Sequence, residues 1–183
     1  MNIFVFGTLL SETFRRIVLG RELNSEHICT ASLKNFCVYW AEGGPFPVIV
    51  PQNGAEVHGI VLKDLNEHDI ERLNYYELGF GYVLKEALVE TNDCLQDVFA
   101  YFCKSSDMAS KNLWSFDDWL TKHSEIQYLA TTEFMDFFGT KFGDTAQRMY
   151  NSILKRAEIY VKERSSVRKV IEGGPSKHAK AQV

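Results

Sequence analysis

The chain opens on a short hydrophobic alternation. Ile3 to Phe6 carry the β-branched and aromatic side chains of a buried strand, and Gly7-Thr8-Leu9-Leu10 then turns the backbone towards a short helix. Ser11 is placed to cap that helix, Phe14, Ile17 and Val18 share one face, and Gly20 follows as its stop. From Glu26 to Ala41 the period falls to two, which predicts strand, with a break near Lys34-Asn35 that divides it in two. Gly43-Gly44-Pro45-Phe46-Pro47 predicts a loop outside any central ladder, because each proline lacks an N–H, and Val48-Ile49-Val50 predicts a short strand after it. Pro51-Gln52-Asn53-Gly54 is a turn signal, with Ala55 to Leu62 as the second arm of a hairpin.

Between Asp64 and Glu77 the period becomes helical. Asn66 with Asp69 three residues on predicts a capping box, and Leu65, Ile70 and Leu73 form the buried stripe. Tyr75-Tyr76-Glu77-Leu78-Gly79-Phe80-Gly81-Tyr82 then gathers four aromatic residues and two glycines around one carboxylate. Tyr82 to Glu90 and Asp97 to Lys104 predict two further strands. Lys104 to Asn112 predicts a strand-free connection. Three helices follow: one opened by Ser115 with Asp118 at its third position, one carrying Leu129, Phe134, Phe137 and Phe138 up to Gly139, and one running from near Asp144 through Ile153 and Val161.

The expected fold is α+β. Residues 1–104 form a small mixed or antiparallel, closed or nearly closed β-barrel with short helices, residues 113–170 form a helical extension packed on it, and residues 171–183 form a flexible tail. At 183 residues, 45% hydrophobic and 24% charged, the chain suits one main core. A net charge of −4 argues against nucleic acid as a partner. Cys29, Cys37, Cys94 and Cys103 form no Cys-x-x-Cys pair, and no apolar run is long enough to span a bilayer. With no signal peptide ahead of the first strand, the expectation is a cytoplasmic protein with reduced thiols and no membrane partner.

The five histidines are scattered without ligand spacing, so no metal site is expected. A Gly-x-Ser-x-Gly elbow, a phosphate loop and a dinucleotide fingerprint are all missing. Two features remain. One is the glycine turn after the first strand, which allows φ > 0 and points amides outward, and which serves equally as a plain strand-to-helix turn. The other is Glu77 among aromatics, which reads as a solvated glutamate or as an acid/base with apolar surroundings supplied by Tyr75, Tyr76, Phe80 and Tyr82. Pro45 and Pro47 read as loop stiffeners.

FVFGTLL, FPVIVP, VHGIVL and LNYYELGFGY occur in an order and at separations that resemble the γ-glutamylcyclotransferase-like (AIG2-like) family, over about residues 1–104. The resemblance implies a barrel of about six strands with a cavity at one mouth. It implies that Phe6, Gly7, Thr8, Leu9, Leu10 and Tyr82 bind a small γ-glutamyl substrate, the turn through its backbone amides. It further implies that Glu77 is the catalytic acid/base of a transferase that needs no cofactor and releases 5-oxoproline. Phe6 stands where the family usually has tyrosine, and Asn74 where aspartate is common. A non-catalytic binding or interaction module on the same barrel is the alternative. The oligomeric state is not legible in the sequence.

Overall fold

A computed structural model describes residues 1–92, 94–141 and 143–172. Strand β1 is Ile3–Val5, and a 3-10 turn over Gly7–Leu10 leads to helix α1, Glu12–Leu19. Strands β2 (Ile28–Ala41) and β3 (Gly44–Leu62) form a long hairpin. Helix α2 is Glu67–Gly79, and β4 (Tyr82–Thr91) and β5 (Leu95–Cys103) form a second hairpin. Strand β6 (Ala109–Leu113) precedes helices α3 (Phe116–Lys122), α4 (Ser124–Met135) and α5 (Gly143–Glu172).

The sheet runs β3-β1-β5-β4-β2-β6, and the additional β2–β3 pairing closes its first five strands into a barrel with β6 attached outside. β1 lies parallel to β5, and the other pairings are antiparallel. Alternation along β1 sends Phe4 into the barrel with Leu33, Val57, Val89 and Ala100. Ile3 and Val5 face the other way, against Phe14, Val18 and Leu19 of α1 and Leu73 of α2. Gly59 lets β3 cross β1 closely, since a Cβ there would stand 2.4 Å from the Val5 carbonyl oxygen.

The helix caps follow their sequence signals. The Phe14 amide donates to Ser11 Oγ at 3.2 Å, and the Asp118 amide donates to Ser115 Oγ at 3.1 Å. In α2 the Asp69 amide donates to Asn66 Oδ1 and the Asn66 amide to Asp69 Oδ2, both at 2.9 Å, a complete capping box. The four cysteines are free thiols.

Four local expectations are corrected. The glycine-proline segment is strand from Gly44 onward, with Pro47 opposite Trp40 and Pro51 opposite Phe36. The reason lies in the ladder's alternation. The Val38 carbonyl accepts from the Trp114 amide of the chain outside β3, so Val38 and its opposite residue Ile49 turn their backbone groups away from each other. Pro47 and Pro51 share the parity of Ile49, and their missing N–H falls on the side that β2 does not need.

The Pro51–Gly54 signal is not a hairpin turn. Gln52 to Ala55 form an irregularity opposite Asn35 alone, whose φ is 63°, and the Gly54 amide donates to Asn35 Oδ1 at 3.0 Å. The chain therefore rejoins the same partner strand, β2 stays continuous through Lys34-Asn35, and the tight turn of the hairpin lies at Ala41–Gly44. The connection after Lys104 contains β6, a polar edge strand paired to Tyr39 and Ala41. At the far end α5 continues through Ile171 and Glu172, and the expected tail beyond them lies outside the described residues.

Candidate active site

The 3-10 turn that follows β1 is fixed from three sides. Gly7 has φ of 62°, and a Cβ on it would stand 2.3 Å from Cγ of Pro47, so both conformation and space require glycine. Pro47 is held in turn by Tyr82, whose hydroxyl donates to the Pro47 carbonyl at 2.5 Å. The far end of the turn is gripped by the buried Arg15, whose Nη1 donates to the carbonyls of Leu9 at 2.9 Å and Leu10 at 2.7 Å. Burial pulls the Arg15 pKa down from its ordinary value, with Glu12 opposing. In a 3-10 turn the leading amides have no partner within it, and the first bond beyond Leu10 runs from the Ser11 amide to the Thr8 carbonyl. The amides of Gly7 and Thr8 make no hydrogen bond within the described residues.

Beside the turn lies a cavity of about 270 Å³. Phe6, Thr8, Leu9, Glu77 and Tyr82 line it, whereas Gly7 and Leu10 are not among its lining residues. Tyr76 and Phe80 also line it. Tyr75 does not, because one helical step turns its ring onto Phe134 and Phe138, at centroid distances of 5.3 and 5.4 Å. Tyr101 of β5 takes the place that Tyr75 was expected to fill, and its hydroxyl donates to Asn74 Oδ1 at 2.8 Å. Asn74 thus orients a cavity tyrosine as a neutral acceptor.

Glu77 is 8% exposed and is the sole carboxylate on the cavity among the described residues. No hydrogen bond or ion pair reaches its carboxylate from those residues. Desolvation therefore acts unopposed and raises its pKa from the ordinary 4.5 to about 8. Its place in the last turn of α2, at the negative end of the helix dipole, pushes in the same direction. The Glu77 charge in turn adds to the burial that raises the pKa of Tyr76, Tyr82 and Tyr101. Among the described residues no group of three or more His, Cys, Asp or Glu could hold a metal ion.

The sequence reading missed the far wall. Gln127 of α4 and Gln147, Tyr150, Asn151 and Leu154 of α5 line the same cavity, and the rings of Phe80 and Tyr150 meet edge to face at 4.7 Å. Helical spacing could have found Gln127, which shares the buried stripe of Ala130, Thr131 and Phe134. Arg15 left no comparable signal beside Phe14.

The closed mixed barrel with helices packed on it is a cyclotransferase-like fold. The family model described as gamma-glutamyl cyclotransferase, AIG2-like, matches residues 3–121, and the chain belongs to that family. AIG2-like protein B of Arabidopsis thaliana is 29% identical over 138 residues, covering 74% of this chain and 78% of that protein. Two solution structures of Arabidopsis thaliana proteins are similar. One has a TM-score of 0.52 at 25% identity, covering 77% of this chain and 93% of its own. The other has a TM-score of 0.53 at 19% identity, covering 99% and 94%. Among the described residues no helix is long and apolar enough to cross a membrane.

Proposed function

We propose that this chain is a γ-glutamylcyclotransferase-type enzyme, a cytoplasmic and cofactor-independent transferase acting on a small γ-glutamyl amide or amine. The carrying observation is that a buried, unpaired Glu77 shares one cavity with Thr8 and Leu9 of the amide-bearing turn. The substrate's α-carboxylate meets the amides at the start of the Gly7–Leu10 turn, since no Lys, Arg or His lines the cavity among the described residues. The α-amine attacks the γ-carbonyl of the same molecule, the bond from that carbon to the leaving nitrogen breaks, and a five-membered lactam, 5-oxoproline, closes.

Both reacting atoms belong to one molecule, so the site has to fold the substrate and move protons from the attacking to the leaving nitrogen. A free α-amine has a pKa of about 7.7 to 8.0, close to the value of about 8 for Glu77. One proton is therefore shared between near-equal bases. Glu77 takes one proton from the ammonium to free the amine and passes it to the leaving nitrogen as the amide breaks. It then takes the second proton from the new ring nitrogen, which leaves the lactam with one N–H, and yields it to the released amine, whose ammonium restores the carboxylate. Phe6 supplies shape here rather than a hydroxyl, and Tyr82 supplies its ring, because its hydroxyl is engaged by Pro47.

The test is to incubate the protein with a panel of γ-glutamyl compounds and to quantify 5-oxoproline for wild type and Glu77→Gln. Turnover that depends on Glu77 supports the assignment. Turnover that survives the change sinks the role of Glu77, and binding without any turnover would make the barrel a binding module.

A further inference from the structure

The cavity is lined by unlike parts of the chain, one of them the β2–β3 hairpin end Gly43–Pro47 with Met108, whose side chains are apolar. The barrel side carries the turn, Tyr82 and Tyr101, with Glu77 contributed by α2. The opposite side is built by the helical extension, where Gln147, Tyr150, Asn151 and Leu154 recur on one face of α5 and Gln127 stands on α4. This second wall is firmly seated. Ile153 and Ala157 on the adjoining stripe of α5 are buried against Ala130, Phe134 and Met135 of α4. Tyr150 is clamped between Phe80 and Phe134, at 4.7 and 5.8 Å, and its hydroxyl donates to Gln127 Oε1 at 3.1 Å. With Oε1 engaged in that way, the Nε2 group of Gln127 faces away from Tyr150. It makes no hydrogen bond within the described residues, although Gln127 is only 5% exposed and lines the cavity.

The chemistry of this wall is amide, phenol and aliphatic, without a formal charge among the described residues. We infer that the α4–α5 wall is the subsite for the leaving amine, and that it selects uncharged leaving groups bearing a neutral hydrogen-bonding function over leaving groups that carry a carboxylate. This assignment of the wall rests on the cyclotransferase reading above. If the turn and Glu77 take the γ-glutamyl unit, the leaving amine is left with the Gly43–Pro47 end and the α4–α5 wall, and of these two only the α4–α5 wall offers side-chain hydrogen-bonding groups. A carboxylate placed beside the buried Gln127 finds no cation and loses water, which is costly without a charged partner. A carbonyl or hydroxyl there meets the unpaired donor of Gln127 within the cavity and the amides of Gln147 and Asn151 at its exposed rim.

The experiment compares two substrates of nearly equal shape, γ-glutamyl-alaninamide and γ-glutamyl-alanine, which differ by a charge on the leaving amine. For wild type, kcat/KM for 5-oxoproline formation is expected to favour the alaninamide by about tenfold or more. In Gln147→Arg and Asn151→Arg, both at exposed positions that tolerate the larger side chain, the ratio is expected to fall towards one as the alanine compound gains a counter-charge. Calorimetry on Glu77→Gln with the same pair reads binding without turnover. Equal or reversed preference in wild type overturns the assignment of the wall while leaving cyclotransferase activity standing. No 5-oxoproline from either compound, with the alaninamide still bound more tightly, overturns the cyclotransferase reading and keeps the selectivity of the wall. Binding of neither compound overturns both.

Discussion

Asp69 and Glu77 lie about two turns apart on helix α2, and both are nearly shut off from water, at 1% and 8% exposure. Their surroundings differ completely. Asp69 accepts from Arg21 at both oxygens, at 2.8 and 2.7 Å, and also from the Asn66 amide, so its pKa is held below the ordinary value, chiefly by the Arg21 hydrogen bonds. Glu77 has no such donor, and burial raises it to about 8. The same side-chain chemistry thus becomes a brace at one end of the helix and an unpaired carboxyl of raised pKa at the other. Burial alone does not distinguish the two, and the presence or absence of a partner does.

The strongest way to break that contrast is Glu77→Gln. It should lower turnover of a γ-glutamyl substrate by about 10² to 10⁴ while the protein stays folded, measured as 5-oxoproline release alongside a melting curve. Next in size is Gly7→Ala, which distorts the turn whose Thr8 and Leu9 share the cavity with Glu77. A left-handed backbone and a collision with Pro47 should together cost about 2 to 4 kcal/mol in denaturant unfolding and should depress turnover as well.

At the bracing end, Asp69→Ala should destabilise the fold by about 1 to 3 kcal/mol, since it removes a capping box and an ion pair whose arginine is partly solvated. Activity per folded molecule should be unchanged. The acid dependence has a definite sign. A lowered carboxyl stabilises above its ordinary value of 3.8 and loses that contribution as pH falls through the folded value, so the gap between wild type and Asp69→Ala should close in acid. The smallest effect is expected from Asn74→Ala. Loss of the acceptor for the Tyr101 hydroxyl should cost about 1 kcal/mol and weaken turnover modestly, without moving the pH profile.

Much of this contrast was legible from residue spacing. Asn66 and Asp69 announce their capping box, Ser11 and Ser115 announce their helices, and the aromatic cluster around Glu77 marks the other end of α2. Arg21 as the partner of Asp69 was not legible, because it comes from the connection after α1 and meets α2 only in the folded chain. Tyr75 and Tyr76 are equivalent neighbours in the sequence, and only the packing of α4 against α2 decides that the first joins Phe134 and Phe138 while the second faces the cavity. The prolines of β3 misled for a related reason. Whether a missing N–H matters depends on which side the neighbouring strand lies, and a single strand does not reveal that. The α5 helix read as an ordinary amphipathic series through Ile153 and Val161, and Gln147 and Asn151 drew no reading, because the cavity they line is assembled from distant parts of the chain.

The most direct measurement is the titration of Glu77 itself, followed by the ¹³C shift of its side-chain carboxyl carbon with Glu77→Gln to assign the signal. A midpoint near 8 is expected. A raised carboxyl is at its most stabilising below the ordinary 4.5, and that contribution is lost as pH rises to about 8, so Glu77→Gln should gain stability relative to wild type across the same window. A midpoint near 4.5, with no change in relative stability over that range, would contradict the account of Glu77 as an unpaired, buried proton carrier.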